Sequence, residues 1–201
     1  MGITGRLANP FHKFLKNAGI FMKAPEVIET TRLLLRKPVP ADAEAIFRRY
    51  AADPVVTRYL SWPTHRSVAD TQAFLTWSDE EWDRWPAGPY LVFARDGQAP
   101  ALLGGTGLSF KSTSRAVTGY VFAQDAWEQG FATESLQAMV ELARQTGVER
   151  LEAICHLEHK ASAHVLEKCG FQQEEVRREH FAFPNLAPQK KADVLSFAHH
   201  F

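Results

Sequence analysis

Charge of one sign is the first thing this chain lacks. Lys plus Arg and Asp plus Glu each number 23 in 201 residues, so bulk attraction to a nucleic acid or an anionic membrane is excluded and only local patches remain. No run of 18 apolar residues occurs, so no stretch reads as a membrane-spanning helix. The two cysteines, Cys155 and Cys169, are too few for a disulfide framework. Both fall in segments that read as core, which predicts buried free thiols in a cytoplasmic protein. Metal-ligand spacing is also missing. His199 and His200 close the chain, and His156 and His159 straddle a strand-to-helix turn, so no metal is expected. There is no internal repeat, no Gly-Lys-Ser/Thr phosphate loop and no three-glycine dinucleotide fingerprint.

What is present is a globular composition, 45% apolar and 23% charged, in a chain long enough for one full core. Residues 1–28 read as an N-terminal extension. Phe11, Phe14 and Leu15 recur at helical spacing with Lys13 and Lys16 on the polar side, and the continuous apolar core of a secretory signal is missing. The extension is expected to pack on the domain or on a partner subunit. From Glu29 to Arg36 the chain reads as a first strand, and Asp42 as the cap of a helix that Asp53-Pro54 stops. A lid containing Tyr59, Leu60 and Trp62 follows. A helix opened by Ser67 or Asp70 then carries Phe74, Trp77, Ser78, Trp82 and Trp85 on one broad face. Aromatics in that number suit core packing, with a substrate or subunit contact as the alternative. Strands follow at Tyr90–Ala94, at the glycine-rich Ala101–Phe110, and at Ala116–Ala123, where the glycines signal a bulge or a close backbone approach.

The chain is organised around 117–171, which reads strand, loop, helix, strand, helix. The loop Trp127-Glu128-Gln129-Gly130-Phe131-Ala132 opens a helix near Thr133, with Leu136, Met139, Val140 and Ala143 on its apolar face and Gly147 as its stop. Such a junction aims backbone N–H groups and the positive end of a helix dipole at one spot, which suits a phosphate or pyrophosphate. A second helix carries Ser162, Val165, Leu166 and Cys169, with Gly170 past its end. Two final strands, around Gln172–Phe183 and Lys190–Phe201, close the chain.

With Gly119-Tyr120-Val121-Phe122, then Trp127 to Glu134, Arg150-Leu151-Glu152-Ala153, His159-x-x-Ser162 and Val165-Leu166-Glu167-Lys168-Cys169-Gly170-Phe171, the sequence resembles the GNAT acyl-CoA-dependent N-acetyltransferases. Within them it is most similar to the branch that acetylates N-termini of ribosomal proteins. The opening TRLLLRKPVPADAEAIF is also alike, so the likeness covers roughly residues 30–201. The resemblance implies an α+β, layered fold whose mixed, largely antiparallel sheet is splayed at the cofactor site, and a single acetyltransferase domain over 29–201. Glu128 stands where the branch has a glycine, His159 where it has an asparagine that reaches the pantetheine arm, and Leu166 where many relatives have an acidic tyrosine.

The resemblance further implies acetyl-CoA as cosubstrate and no metal. Cofactor contacts fall on Val121, Phe122, Ala123, Trp127, Glu128, Gln129, Gly130, Phe131, Ala132, Thr133, His159 and Ser162. The N–H of Val121 is expected to hold the thioester oxygen. Ser162 is the expected acid, against an ordinary helix-turn hydroxyl. Glu134 is the expected proton acceptor, against simple favourable placement in the first helical turn. Tyr59, Trp62, Phe74 and Trp77 of the lid and Phe181 and Asn185 of the C-terminal hairpin are expected to admit the acceptor amine, a protein N-terminus or a small molecule. Homodimers occur among such relatives. A non-catalytic acyl-CoA-binding regulatory module is the rival reading.

Overall fold

The computed structural model describes residues 23–95, 101–187 and 189–201, so the expectation for residues 1–22 and the turn expected at 96–98 lie outside the described residues. The run expected to form one strand from Glu29 is two. β1 (Val27–Glu29) and β2 (Leu33–Arg36) form an antiparallel hairpin with Ile28 opposite Leu35. The turn carries no glycine or proline. The Thr30 hydroxyl supplies the missing chemistry by accepting from Leu33 N–H at 3.0 Å, a side-chain mimic of a backbone turn. Because β1 and the buried Ala24 belong to the sheet and core, the folded unit starts before residue 29.

Asp42 does not cap with a free carboxylate. It ends a 3₁₀ turn (Pro40–Asp42), accepts from Val39 N–H at 2.8 Å and takes a two-pronged ion pair from Arg36. The chain continues as α1 (Ala43–Ile46), a wider π turn to Ala51, and α2 (Pro54–Thr57), capped by the Asp53 carboxylate. α3 (Val68–Arg84) starts at Ser67, with Asp70 accepting from the N–H groups of Arg66 and Ser67. Its aromatic face divides: Ser78 and Trp82 are buried, whereas Trp77 is exposed.

β3 (Pro89–Ala94), β4 (Ala101–Phe110) and β5 (Arg115–Phe122) form an antiparallel meander. The expected irregularity in the glycine-rich strand is present as a register shift opposite Val92 and Phe93. At Gly104 the approach is closest, because a Cβ there would lie 2.0 Å from the Val121 carbonyl oxygen. After β5 come α4 (Phe131–Gln145), β6 (Arg150–His156), α5 (Lys160–Lys168), β7 (Gln172–Ala182) and β8 (Lys191–His200). Among the described residues the eight-stranded order is β1-β2-β3-β4-β5-β6-β8-β7, with β5 and β6 the single parallel neighbours.

One face of the sheet packs under α4, where Leu136, Met139, Leu142 and Ala143 meet Leu33, Val92, Leu108 and Phe122. On the other, Ile46, Tyr50 and Leu75 cover Leu91 and Val121. Truncating a fully buried side chain such as Leu136 removes about 2–5 kcal/mol. Among the described residues no helix is long and apolar enough to cross a membrane.

Candidate active site

The parallel pairing of β5 with β6 covers only Arg115↔Arg150, Ala116↔Leu151 and Val117↔Glu152. Beyond it the strands part, and strand alternation dictates which backbone groups line the opening. Ala123 N–H donates to the Leu103 carbonyl at 2.9 Å, and Val121 stands opposite Gly105 in an unbroken register. Hydrogen-bonded pairs alternate along an antiparallel ladder, so Val121 also turns its N–H to β4. The expected thioester contact through Val121 is therefore corrected: the N–H groups of Tyr120 and Phe122 face the opening. On the opposite wall Leu157 N–H donates to Asp193, and Cys155 stands opposite Leu195. The same alternation turns the backbone groups of Ile154 and His156 toward the gap. The Phe122 carbonyl, which also faces this way, is capped by the Trp127 indole N–H at 2.7 Å.

At the wide end of the gap the loop 127–130 leads into α4. The helix starts at Phe131, two residues before the expected Thr133, because Gly130 takes φ 80° and turns the chain into it. Glu128 also has positive φ, at 59°, and its side chain is exposed. Thus the substituted glycine position keeps a glycine-like backbone, with the carboxylate in solvent. Glu134, the expected base, is fully engaged. It accepts from the Thr30 hydroxyl at 2.6 Å, Arg32 N–H at 2.8 Å and Arg32 Nε at 2.7 Å. Burial works against its charge, but these donors override burial and hold it below the ordinary carboxylate range. A carboxylate so held is a weak proton acceptor, and its contacts tie the β1–β2 turn to α4.

Helix α5 supplies another wall. The Ser162 hydroxyl lies 3.0 Å from the Tyr120 hydroxyl, joining the helix to β5 across the opening. Burial raises the Tyr120 phenol, with the Ser162 contact opposing, and pushes the Cys155 and Cys169 thiols up to about 11. Both cysteines are buried and free, as expected. His159 begins the helix, its ring stacked on Tyr59 with centroids 4.6 Å apart. Burial, and then the nearby His156, lower its pKa, so it is neutral at pH 7.

The lid and the hairpin, between which the acceptor was expected to enter, are in direct contact. Tyr59 packs on His156 at 5.1 Å, His156 on Phe183 at 5.1 Å, and Phe183 on Phe181 at 5.4 Å. Asn185 is a clasp rather than a free donor for an acceptor molecule. Its Oδ1 accepts from Thr64 N–H at 2.8 Å, and its Nδ2 donates to the carbonyls of Thr57 at 2.7 Å and Trp62 at 2.9 Å. Trp62 and Phe74 pack on the Ile46–Tyr50 cluster. Trp77 touches Phe74, with centroids 6.0 Å apart, and is otherwise exposed on α3.

Sequence reasoning missed Arg32 and Tyr120. Tyr120 depends on the register of β5 against β4, and Arg32 on the unexpected hairpin. Among the described residues no cluster of His, Cys, Asp and Glu is arranged to hold a metal ion.

A family model described as acetyltransferase (GNAT) domain matches residues 32–172. The Uncharacterized N-acetyltransferase YoaA of Bacillus subtilis (strain 168) is 31% identical over 162 residues, spanning 77% of this chain and 87% of that protein. The solved structure of RimL, a ribosomal L7/L12 alpha-N-protein acetyltransferase in complex with coenzyme A, superposes with TM-score 0.76 at 22% identity, covering 88% of this chain and 98% of that one. Spermidine N-acetyltransferase from Vibrio cholerae, in complex with CoA and spermine, gives TM-score 0.70 at 16% identity, with coverages of 85% and 96%.

Proposed function

The chain belongs to the GNAT acetyltransferase family, and from that premise we propose that it transfers the acetyl group of acetyl-CoA to a primary amine, a peptide or protein N-terminus first among them. The observation that carries the reading is the opening between β5 and β6, with the N–H groups of Tyr120 and Phe122 along one edge and the N-terminus of α4 at its end. This supplies strand-like donors for an amide-containing arm and a helix terminus for a pyrophosphate.

Acetyl-CoA supplies an activated acyl carbon and a thiolate leaving group. The N–H of Phe122, nearer the loop, suits the pantetheine arm, and that of Tyr120, deeper in the opening, suits the thioester oxygen, where negative charge develops as the amine attacks. The C–N bond forms as the C–S bond breaks. The amine nitrogen loses a proton to water or a base, and the thiolate gains one. Ser162 is placed beside this edge through its contact with the Tyr120 hydroxyl, and we assign it to proton delivery toward the departing sulfur. Trp127 caps the Phe122 carbonyl at the edge of the opening. Neutral His159 lines the wall where relatives carry an asparagine.

A peptide N-terminus is favoured over a polyamine because the mouth carries a cation: the Arg58 guanidinium lies 5.2 Å from the centre of the Tyr59 ring. A polycation meets stronger repulsion there than a single amine on a peptide backbone. The test is CoA-thiol release with a peptide bearing a free N-terminus, its N-blocked counterpart, and spermidine. Release with the free peptide alone is expected. Equal release in all three at the no-amine background overturns the enzyme reading and supports a binding module, while spermidine as the better acceptor overturns the substrate preference.

A further inference from the structure

Two negative features stand beside the loop assigned to the pyrophosphate: the Glu134 carboxylate in the first turns of α4 and the Gln129 carbonyl. Each competes with a phosphate for the same helix terminus. Both are occupied by one side chain from a distant part of the sequence. Arg32, in the β1–β2 turn, donates through Nε to Glu134 at 2.7 Å and through Nη1 to the Gln129 carbonyl at 2.9 Å. Its backbone N–H adds a further contact to Glu134 at 2.8 Å. The guanidinium lies on the Phe131 ring, 4.7 Å from its centroid, and its Nη2 comes within 3.3 Å of the place a Cβ on Gly130 would take. The turn is itself held from just past β3, where Arg95 donates to the Thr30 carbonyl at 2.6 Å and pairs with Glu29 at 2.9 Å.

We propose that Arg32 is the positioning residue of the cofactor loop: it neutralises Glu134 and turns the Gln129 carbonyl outward, so that the N-terminus of α4 presents net positive charge to the phosphates. The inference rests on the acetyl-CoA reading of the same cleft and deepens it. An exposed ion pair contributes little to stability, and here half the Arg32 side chain is exposed, at 47%. The function assigned is to remove a like charge from an anion site, an effect felt by the phosphates rather than by the fold.

That distinction sets the experiment. CoA affinity is measured by calorimetry for the wild type, Arg32→Ala, Glu134→Gln and the double variant, with steady-state rates for acetyl-CoA and for S-acetylpantetheine, which lacks the phosphates. Arg32→Ala leaves Glu134 bare and is expected to weaken CoA by about tenfold, the response to about 1.4 kcal/mol. The double variant recovers most of that loss, because the carboxylate it removes is the source of repulsion. The loss in kcat/KM is larger for acetyl-CoA than for S-acetylpantetheine. Arg32→Gln repeats the charge test with a longer polar side chain if Arg32→Ala does not fold. Equal affinity in wild type and Arg32→Ala, a double variant no better than Arg32→Ala, or equal losses with both thioesters overturns the inference while leaving the acetyl-CoA reading intact. No CoA binding by the folded wild type overturns both.

Discussion

Removing Asn185 gives the sharpest test of how the acceptor side is built. Its orientation is fixed by its neighbours: Thr64 N–H only donates, and the Thr57 and Trp62 carbonyls only accept, so Oδ1 and Nδ2 take the positions found. Counting the longer contact from the Thr64 hydroxyl at 3.2 Å, the side chain makes four hydrogen bonds to the lid. At about 0.5–1.5 kcal/mol net each, and with water able to reach part of the site, Asn185→Ala is expected to lose about 2–4 kcal/mol. Asn185→Asp is the more telling change. It keeps the acceptor for Thr64 but sets a carboxylate oxygen against two carbonyls, so it is expected to be no more stable than the alanine variant. Urea unfolding reads this as a lower midpoint at unchanged slope. Because the clasp holds the lid and not the cofactor loop, the KM for the amine rises more than the KM for acetyl-CoA. Wild-type stability in both variants, or an aspartate variant firmer than alanine, would refute the reasoning.

Four other outcomes follow from named contacts. Glu152 is buried among Lys111, Arg115 and Arg150; burial opposes its charge, but hydrogen bonds from these three hold the carboxyl at about 2. Its folded value lies below the unfolded value of about 4.3, so its contribution, about 2 kcal/mol after discounting for solvent, is complete above about pH 5 and lost as pH falls toward 2; a Glu152→Gln variant whose acid unfolding matches wild type contradicts this. Glu128→Gly relieves a φ of 59° and is expected to retain CoA binding while raising stability by up to about 1 kcal/mol; a lower melting midpoint contradicts it. Gly130→Val places a branched side chain at φ 80° against Arg32 and is expected to abolish CoA binding, which the same calorimetry checks. Ser162→Ala lowers kcat about tenfold or more if the hydroxyl delivers the proton, whereas an unchanged rate at saturating substrates removes it from the chemistry.

The order of elements from β3 onward was legible because each has a local signal: alternating apolar strands, the apolar face of α4, and Gly147 and Gly170 at the helix ends with φ of 79° and 82°. The β1–β2 hairpin was not, since its turn depends on the Thr30 hydroxyl and not on a glycine or proline. Roles that depend on tertiary partners were also hidden. Glu134 reads as a proton acceptor or a favourable first-turn charge until Arg32 and Thr30 are brought to it, and Asn185 as a substrate contact until the lid carbonyls reach it. Val121 failed for a simpler reason: which N–H groups face the opening depends on register, and a shift of one residue reverses the answer. The neutral total charge likewise concealed the local arrangement of Arg32, Glu134 and the helix terminus.

The most direct measurement is a crystal structure of the protein with CoA bound. The pantetheine arm is expected in the gap between β5 and β6, within hydrogen-bonding distance of the N–H groups of Tyr120 and Phe122, and the pyrophosphate at residues 128–132 with Arg32 still on Glu134. CoA bound elsewhere, or a gap closed by β5–β6 pairing with CoA in excess, would contradict this.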